Sequence, residues 1–201
     1  MSRILVRLKI SLDGVEPAVY RRVLVPYTIR LHRLHQVIQV AMGWTDTHLY
    51  EFLFKGVNFG IPDPDYIDGP LDARRVTLKS ALEDVGAKTF KYLYDFGDAW
   101  YHTIKVEKFF DDQPLVDLPF LLECAGHCPP ENVGGPDGYA NFLAAYYDPS
   151  HEDHTQVREW HPGPINPTDP RLPELDAALE RLQKAWAKKT PAKRALKVVK
   201  F

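Results

Sequence analysis

The opening stretch "ILVRLKISL" is the strongest constraint on the fold. Ile4, Val6, Leu8, Ile10 and Leu12 are apolar and the residues between them are mostly polar. A two-residue period sends alternate side chains to opposite sides of an extended chain, so this stretch predicts a half-buried strand. Such a strand needs neighbours in a sheet and a second layer over its apolar row. Asp13-Gly14 supplies a turn, and Val19 to Val25 reads as a return strand ending at Pro26.

The period then changes. In "TIRLHRLHQVIQVAMGW" Leu31, Leu34, Ile38 and Ala41 share a helical stripe, and Gly43 stands where a helix C-cap belongs. "HLYEFLFKGVNFG" reads as a strand, a Lys-Gly turn and a short return strand, followed by a Pro- and Asp-rich loop over 61–75. Thr77 caps a short helix through Val85, which Gly86 stops. Phe90–Asp95 and Trp100–Phe109 form a hairpin around a Phe-Gly-Asp turn in which Gly97 is expected to supply the positive φ. After a Pro-broken link, "CAGHCPPENVGGPDGY" reads as loop. Helices follow at Tyr139–Tyr147, at "HEDHTQVREW" and at "LPELDAALERLQKAWAKK", the last with Leu175, Leu179 and Leu182 on its stripe. Early strands and late helices define an α+β fold, an antiparallel sheet packed by helices, with helices concentrated in the C-terminal half.

Hydrophobic residues make up 45% of the 201, enough for one packed domain. The net charge of −2 conceals a split: Lys184 to Phe201 holds seven basic residues and no acidic one, leaving 18 basic against 27 acidic ahead of it. The chain therefore divides into a domain over 1–183 and a basic tail over 184–201. Two cysteines make no disulfide framework, and no apolar run resembles a signal peptide or a membrane span. A cytoplasmic protein with no membrane partner is the expectation.

Four segments, "VYRRVLVP", "LHRLHQVIQVAMGWTDTHLYEF", "YDFGDAWYHTIKVEK" and "CPPENVGGPDGYANFL", together resemble the plasmid pRiA4b ORF-3-like family, or MM3350-like fold, from about Ile4 to about Leu182. The resemblance implies an α+β domain and no established activity, although some members carry resolvase or repressor-like labels. This chain departs from the family pattern with Ala99 at a usual glycine, Asn132 at a usual acid and Val133 where some relatives have cysteine.

The chemistry-bearing residues cluster in those segments. His35 on the first helix, His48 on the third strand and His102 on the hairpin each fall on an inward side. One reading is a rim site in which Asp95 or Asp98 orients a histidine for acid–base work or metal binding. The other is three core histidines, each satisfied by a neighbour. The Asp95-Phe96-Gly97 triplet lacks the catalytic and Gly-rich loops of a kinase, and "GGPDG" lacks the Lys-Ser/Thr of a phosphate loop. Cys124, His127 and Cys128 offer three metal-binding side chains, with His151 or His154 as a fourth, but not at a zinc-knuckle spacing. Asp63, Asp65, Asp68 and Asp72 match a calcium loop only in composition.

Three functional readings follow. The first is a non-catalytic binding module, its ligand an unidentified peptide, protein or small molecule, held by Trp44, His48, Asp95, Asp98, Trp100, His102, Glu131 and Asn132. The second is a nucleic-acid-associated accessory protein of a mobile element. It would contact phosphates through Lys188, Lys189, Lys193, Arg194 and Lys197, with Arg21, Arg22, Arg30 and Arg33 as further basic residues. The third is a hydrolase using His48, His102 and Asp98, metal-assisted or metal-free. No catalytic residue is assigned outright. No cofactor is expected; a divalent metal is held open, with Cys124, His127 and Cys128 as its candidate ligands.

Overall fold

The computed structural model describes residues 4–65, 68–111 and 118–189. The opening alternation becomes β1 (Leu5–Leu12), which lies inside the sheet rather than at its edge. It pairs antiparallel with β2 (Tyr20–Pro26) on one side and with β7 (Trp100–Phe110) on the other. Beyond β2 lies β8 (Phe120–Ala125). Beyond β7 come β6 (Thr89–Tyr94), β3 (Tyr50–Phe54), β4 (Val57–Gly60) and the two-residue β5 (Leu71–Asp72). The order β5-β4-β3-β6-β7-β1-β2-β8 is antiparallel throughout except between β4 and β5. This is an α+β fold with one open sheet.

The alternation decides which side is covered. Val6, Leu8, Ile10 and Leu12 are buried, in one core with α1 (Leu31–Met42), α2 (Leu78–Val85), α3 (Gly135–Tyr147) and α5 (Leu172–Lys189). The short α4 (His154–Trp160) packs on α3 and buries no residue fully. On the other side the intervening residues build a polar lattice. Glu107 receives both Arg7 at 2.9 Å and Arg22 at 3.1 Å, Arg22 also reaches Glu123, and Lys91 meets Asp13 at 2.7 Å. Exposed pairs of this kind contribute little individually, so the apolar side supplies most of the stability.

The helix ends form as their residues dictate. Gly43 closes α1 at φ 89° and Gly86 closes α2 at φ 63°. Thr77 and Ser80 cap α2 reciprocally, each side chain accepting the other's backbone N–H. Helix α3 starts earlier than expected, at Gly135, because Pro136 is preorganised for a first helical turn and Asp137 complements its dipole. Strands β5 and β8 occupy stretches read as loop; each is an edge strand held by one neighbour. The 183/184 boundary falls inside α5, whose Trp186 donates to Gln36 at 3.1 Å and lies under the Arg33 guanidinium at 4.5 Å.

Candidate functional site

The turn between β6 and β7 is built on Asp95. Its Oδ1 accepts the N–H groups of Gly97 at 3.0 Å and Asp98 at 3.4 Å, and its carbonyl accepts the Ala99 N–H at 2.7 Å. The positive φ values fall on Asp95 (56°) and Ala99 (55°), not on Gly97, which corrects the expectation for the glycine. Aspartate tolerates that region because its short side chain bonds nearby backbone, whereas alanine has no such compensation. Gly97 is small for a different reason: a Cβ there would sit 3.3 Å from Asp95 Oδ1.

Behind the turn lies a closed aromatic block. Trp100 and His102 are sealed, so the expectation that they line an open rim pocket is corrected; Trp44 is nearly buried but edges a recess of about 390 Å³ with Thr45 and Glu131. Trp44 stacks on Tyr94 with centroids 5.0 Å apart, meets His102 edge-on at 5.4 Å and donates to the Pro129 carbonyl at 3.0 Å. His102 lies 3.0 Å through Nδ1 from the Trp100 carbonyl, so Nδ1 carries the proton and donates, while Nε2 makes no hydrogen bond. Burial drives its pKa down to about 4, which keeps the ring neutral near neutrality.

His35 is also a core residue. Its ring stacks on Tyr50 at 3.6 Å, its Nδ1 lies 2.8 Å from the Tyr92 hydroxyl, and its Nε2 lies 2.7 Å from Asp46. Gln39 donates to the Tyr92 hydroxyl at 3.1 Å and accepts the Asp46 N–H. One proton arrangement satisfies every member: Tyr92 donates to Nδ1, and Nε2 donates to Asp46. His35 and His102 thus flank Tyr92, while His48 lies against Tyr94 at 5.8 Å.

Of the expected site residues, His48, Asp98, Glu131 and Asn132 keep accessible surface. His48 Nε2 lies 3.4 Å from Asp95 Oδ2, close enough for ion pairing but not aligned as a hydrogen bond. Asp98 faces elsewhere, accepting the Gly134 N–H at 3.1 Å. Glu131 accepts from the Tyr94 hydroxyl at 2.6 Å and from both the N–H and the hydroxyl of Thr45. Burial alone would raise the Glu131 pKa, but those donors hold it below the usual carboxylate range. Asn132 stands apart, on a recess with Val133, Phe142 and Trp160. The hydrolase set of His48, His102 and Asp98 is therefore not assembled: His102 is sealed and Asp98 is committed to Gly134.

The metal candidates do not gather either, and among the described residues no three His, Cys, Asp or Glu side chains are grouped to hold an ion. Arg21 accounts for this around Cys124 and Cys128. Its guanidinium is buried near both thiols and donates to the carbonyls of Tyr20, Ala41, Ala125 and Gly126, so a cation already occupies that interior. Burial pushes the Cys128 thiol up to about 12, and His127 Nδ1 is held at 3.2 Å by the Asp169 carbonyl. Arg21 is in phase with Val19, Val23 and Val25, the one signal that places it inside. The expected basic surface is dispersed accordingly: Arg22 pairs with glutamates, Arg33 covers Trp186, and Arg30 donates to the Arg74 carbonyl. Lys188 and Lys189 end α5, while Lys193, Arg194 and Lys197 lie outside the described residues.

The open concavity lies beside the turn, where the sequence reading did not look. A groove of about 680 Å³ runs along β3 and β4, with Leu49, Ile61, Leu71 and Phe96 on its walls. These four large apolar side chains are 55%, 52%, 56% and 49% exposed, far more than a packed role requires. Leu49 and Phe96 directly follow His48 and Asp95 in the chain, but neither His48 nor Asp95 is among the residues that line the groove. Glu51, Asp63 and Asp68 complete an acidic margin and make no ion pair among the described residues.

An open, mostly antiparallel sheet covered on one side by helices, with a buried aromatic–histidine block behind an Asp-Phe-Gly-Asp turn, defines the class of this protein. The particular family follows from residues 5–174, which match the model for the plasmid pRiA4b ORF-3-like protein; the chain belongs to that family. It is 54% identical over 191 residues, 94% of this chain and 97% of the relative, to the uncharacterized protein y4hQ of Sinorhizobium fredii (strain NBRC 101917 / NGR234). It is also similar to a crystal structure of MM3350, a protein of unknown function from Methanosarcina mazei Go1. The TM-score is 0.75 at 28% identity, covering 84% of this chain and 97% of that one. These relatives share the fold and carry no assigned function.

Proposed function

We propose that the protein is a non-catalytic binding module that receives an extended peptide or protein segment in the groove beside the Asp95–Ala99 turn. One observation carries this reading: four half-exposed large apolar side chains, Leu49, Ile61, Leu71 and Phe96, line a single concavity. Exposed apolar surface gathered in a cleft, with polar groups at its margin, is the usual construction of a recognition site. The aromatic block behind it is the rigid support, and Asp95 ties the turn to the residue that precedes β3 through its N–H bond to the Leu49 carbonyl. A cytoplasmic location is part of the proposal. Two free thiols support it, and no helix among the described residues is long and apolar enough to cross a membrane.

The test is selection of a displayed random-peptide library on the wild-type protein, counter-selected with a Leu71→Asp, Phe96→Asp variant. The expected result is a peptide family that binds wild type and is lost on the variant. Peptides that bind both proteins alike, or no enrichment at all, would overturn the assignment.

A further inference from the structure

Arg21 carries its charge into the interior, where it is 1% exposed, and among the described residues no carboxylate pairs with it. Its Nε donates to the Ala41 carbonyl, its Nη1 to those of Tyr20 and Ala125, and its Nη2 to that of Gly126. A guanidinium has five N–H groups, so one on Nη2 is left over. Carbonyl dipoles satisfy hydrogen bonds, but they do not supply the opposite charge that a buried cation calls for. The thiols of Cys124 and Cys128 lie near it and are held neutral, burial raising both and pushing Cys128 up to about 12.

The same residue lines the recess of about 390 Å³ that Trp44 edges, a volume in the range of small-molecule sites. The recess lies among the end of α1, residues 127–131 and the first turns of α5. Val40, Met42, Trp44 and Leu175 give it apolar walls, and the Trp44 N–H is spent on the Pro129 carbonyl. Arg171, 57% exposed and tied to Glu174 at 3.0 Å, stands at the mouth, while Arg21 stands at the inner end. Glu131, the other carboxylate of the lining, is engaged by Tyr94 and Thr45. Both acids are committed, and Arg21 is left as the unpaired charge. A mostly apolar cavity with one buried cation at its end is built for a ligand with a hydrocarbon body and one negative group.

We infer that this recess binds a small organic monocarboxylate, its carboxylate on the remaining Nη2 N–H of Arg21 and its apolar body against Val40, Met42, Trp44 and Leu175. A hydrogen bond between two charged groups is about twice as strong as a neutral one, which sets the carboxylate above its amide. The apolar walls set a ligand with a hydrocarbon body above a bare anion. The recess shares no lining residue with the groove along β3 and β4, so the two sites stand or fall separately.

Titration of the full chain with a series of straight-chain and aromatic monocarboxylates, each beside its neutral amide, tests this. Proton–nitrogen NMR spectra follow the Nε–H of Arg21, which is held on the Ala41 carbonyl in the interior. The expected result is saturable binding of at least one carboxylate, at least about tenfold tighter than its amide, with a shift of that Nε–H signal. Acetate, which has the charge without the body, should bind at least about tenfold more weakly than the best of the series. Ala178→Phe fills the recess from α5 and leaves Arg21 in place, so it should abolish binding. Val40→Phe does the same from α1 and serves where the first variant does not fold. Carboxylate and amide binding alike would show that the charge is not read, and acetate binding as tightly would leave an adventitious anion only. Either result overturns the inference, as does binding that survives the filled recess or leaves the Arg21 signal unmoved. No binding tighter than about 10 mM across the series would overturn it as well.

Discussion

Tyr94 donates a 2.6 Å hydrogen bond to Glu131, and the same carboxylate accepts the N–H and hydroxyl of Thr45. Tyr94 ends β6, Thr45 follows the C-cap of α1, and Glu131 lies between β8 and α3. One carboxylate therefore ties together three parts of the chain distant in sequence. Tyr94→Phe should lower stability by about 1.5–3 kcal/mol, the range for a hydrogen bond to a charged acceptor. Urea unfolding of Tyr94→Phe, Glu131→Gln and the double variant measures the coupling. Strictly additive losses would show that the contact contributes nothing of its own.

His102 predicts acid sensitivity of a definite sign. Its folded pKa is depressed to about 4 from an ordinary 6.5, so the unfolded chain binds the extra proton between those values. Stability is then fully present above about pH 6.5 and falls as pH drops toward 4, by about 3 kcal/mol over that window. In His102→Gln most of that slope should vanish. A wild-type slope retained in the variant would assign the loss to other groups, with Glu131 contributing only at the acidic end.

Ala99 holds a left-handed φ of 55° without a side chain that compensates for it. Ala99→Gly should raise stability by about 0.5–1 kcal/mol, the strain relief exceeding the entropy that glycine adds to the unfolded chain. Gly135→Ala should do the reverse and more strongly, because its φ is 71° and a Cβ there would meet the Asp98 carbonyl oxygen at 2.4 Å. Thermal unfolding of the two variants should shift Tm in opposite directions.

Trp100 and Phe96 lie four residues apart and should respond differently. Trp100 is sealed in the core, and its truncation to alanine should lower stability by about 3–5 kcal/mol. Phe96 faces the groove, so Phe96→Ser should change stability by no more than about 0.5 kcal/mol. Denaturant midpoints of the two variants decide whether the indole is structural and the phenyl ring is surface.

Much of the fold was legible because periodicity is a local signal. The rows of β1 and β2, the α1 stripe with Gly43 and the Thr77 cap of α2 each follow from spacing alone. Strands β5 and β8 were not legible, since a short edge strand is made by the neighbour it finds rather than by its own residues. The candidate site was half legible. Spacing placed His35 and His102 inward, but whether an inward residue lines a pocket or fills a core depends on what covers it. Here α1 and the Pro129 segment close over Trp44 and the histidines. The groove escaped notice because Leu49, Ile61, Leu71 and Phe96 come from four separate stretches and show no common pattern until the sheet brings them together.

The position of β1 bears on the order in which the chain can be assembled. It leaves the ribosome well before one of its two neighbours, since β7 begins only at Trp100 while β1 ends at Leu12. During synthesis β1 can form its hairpin with β2, but its other edge and its row of Val6, Leu8 and Ile10 must wait for Trp100–Phe110. Sheets joined through such distant pairings form slowly and leave adhesive edges exposed while they do. Nascent chains halted before residue 100 should therefore engage chaperones that recognise unpaired apolar strands, and chains released past β8 should not.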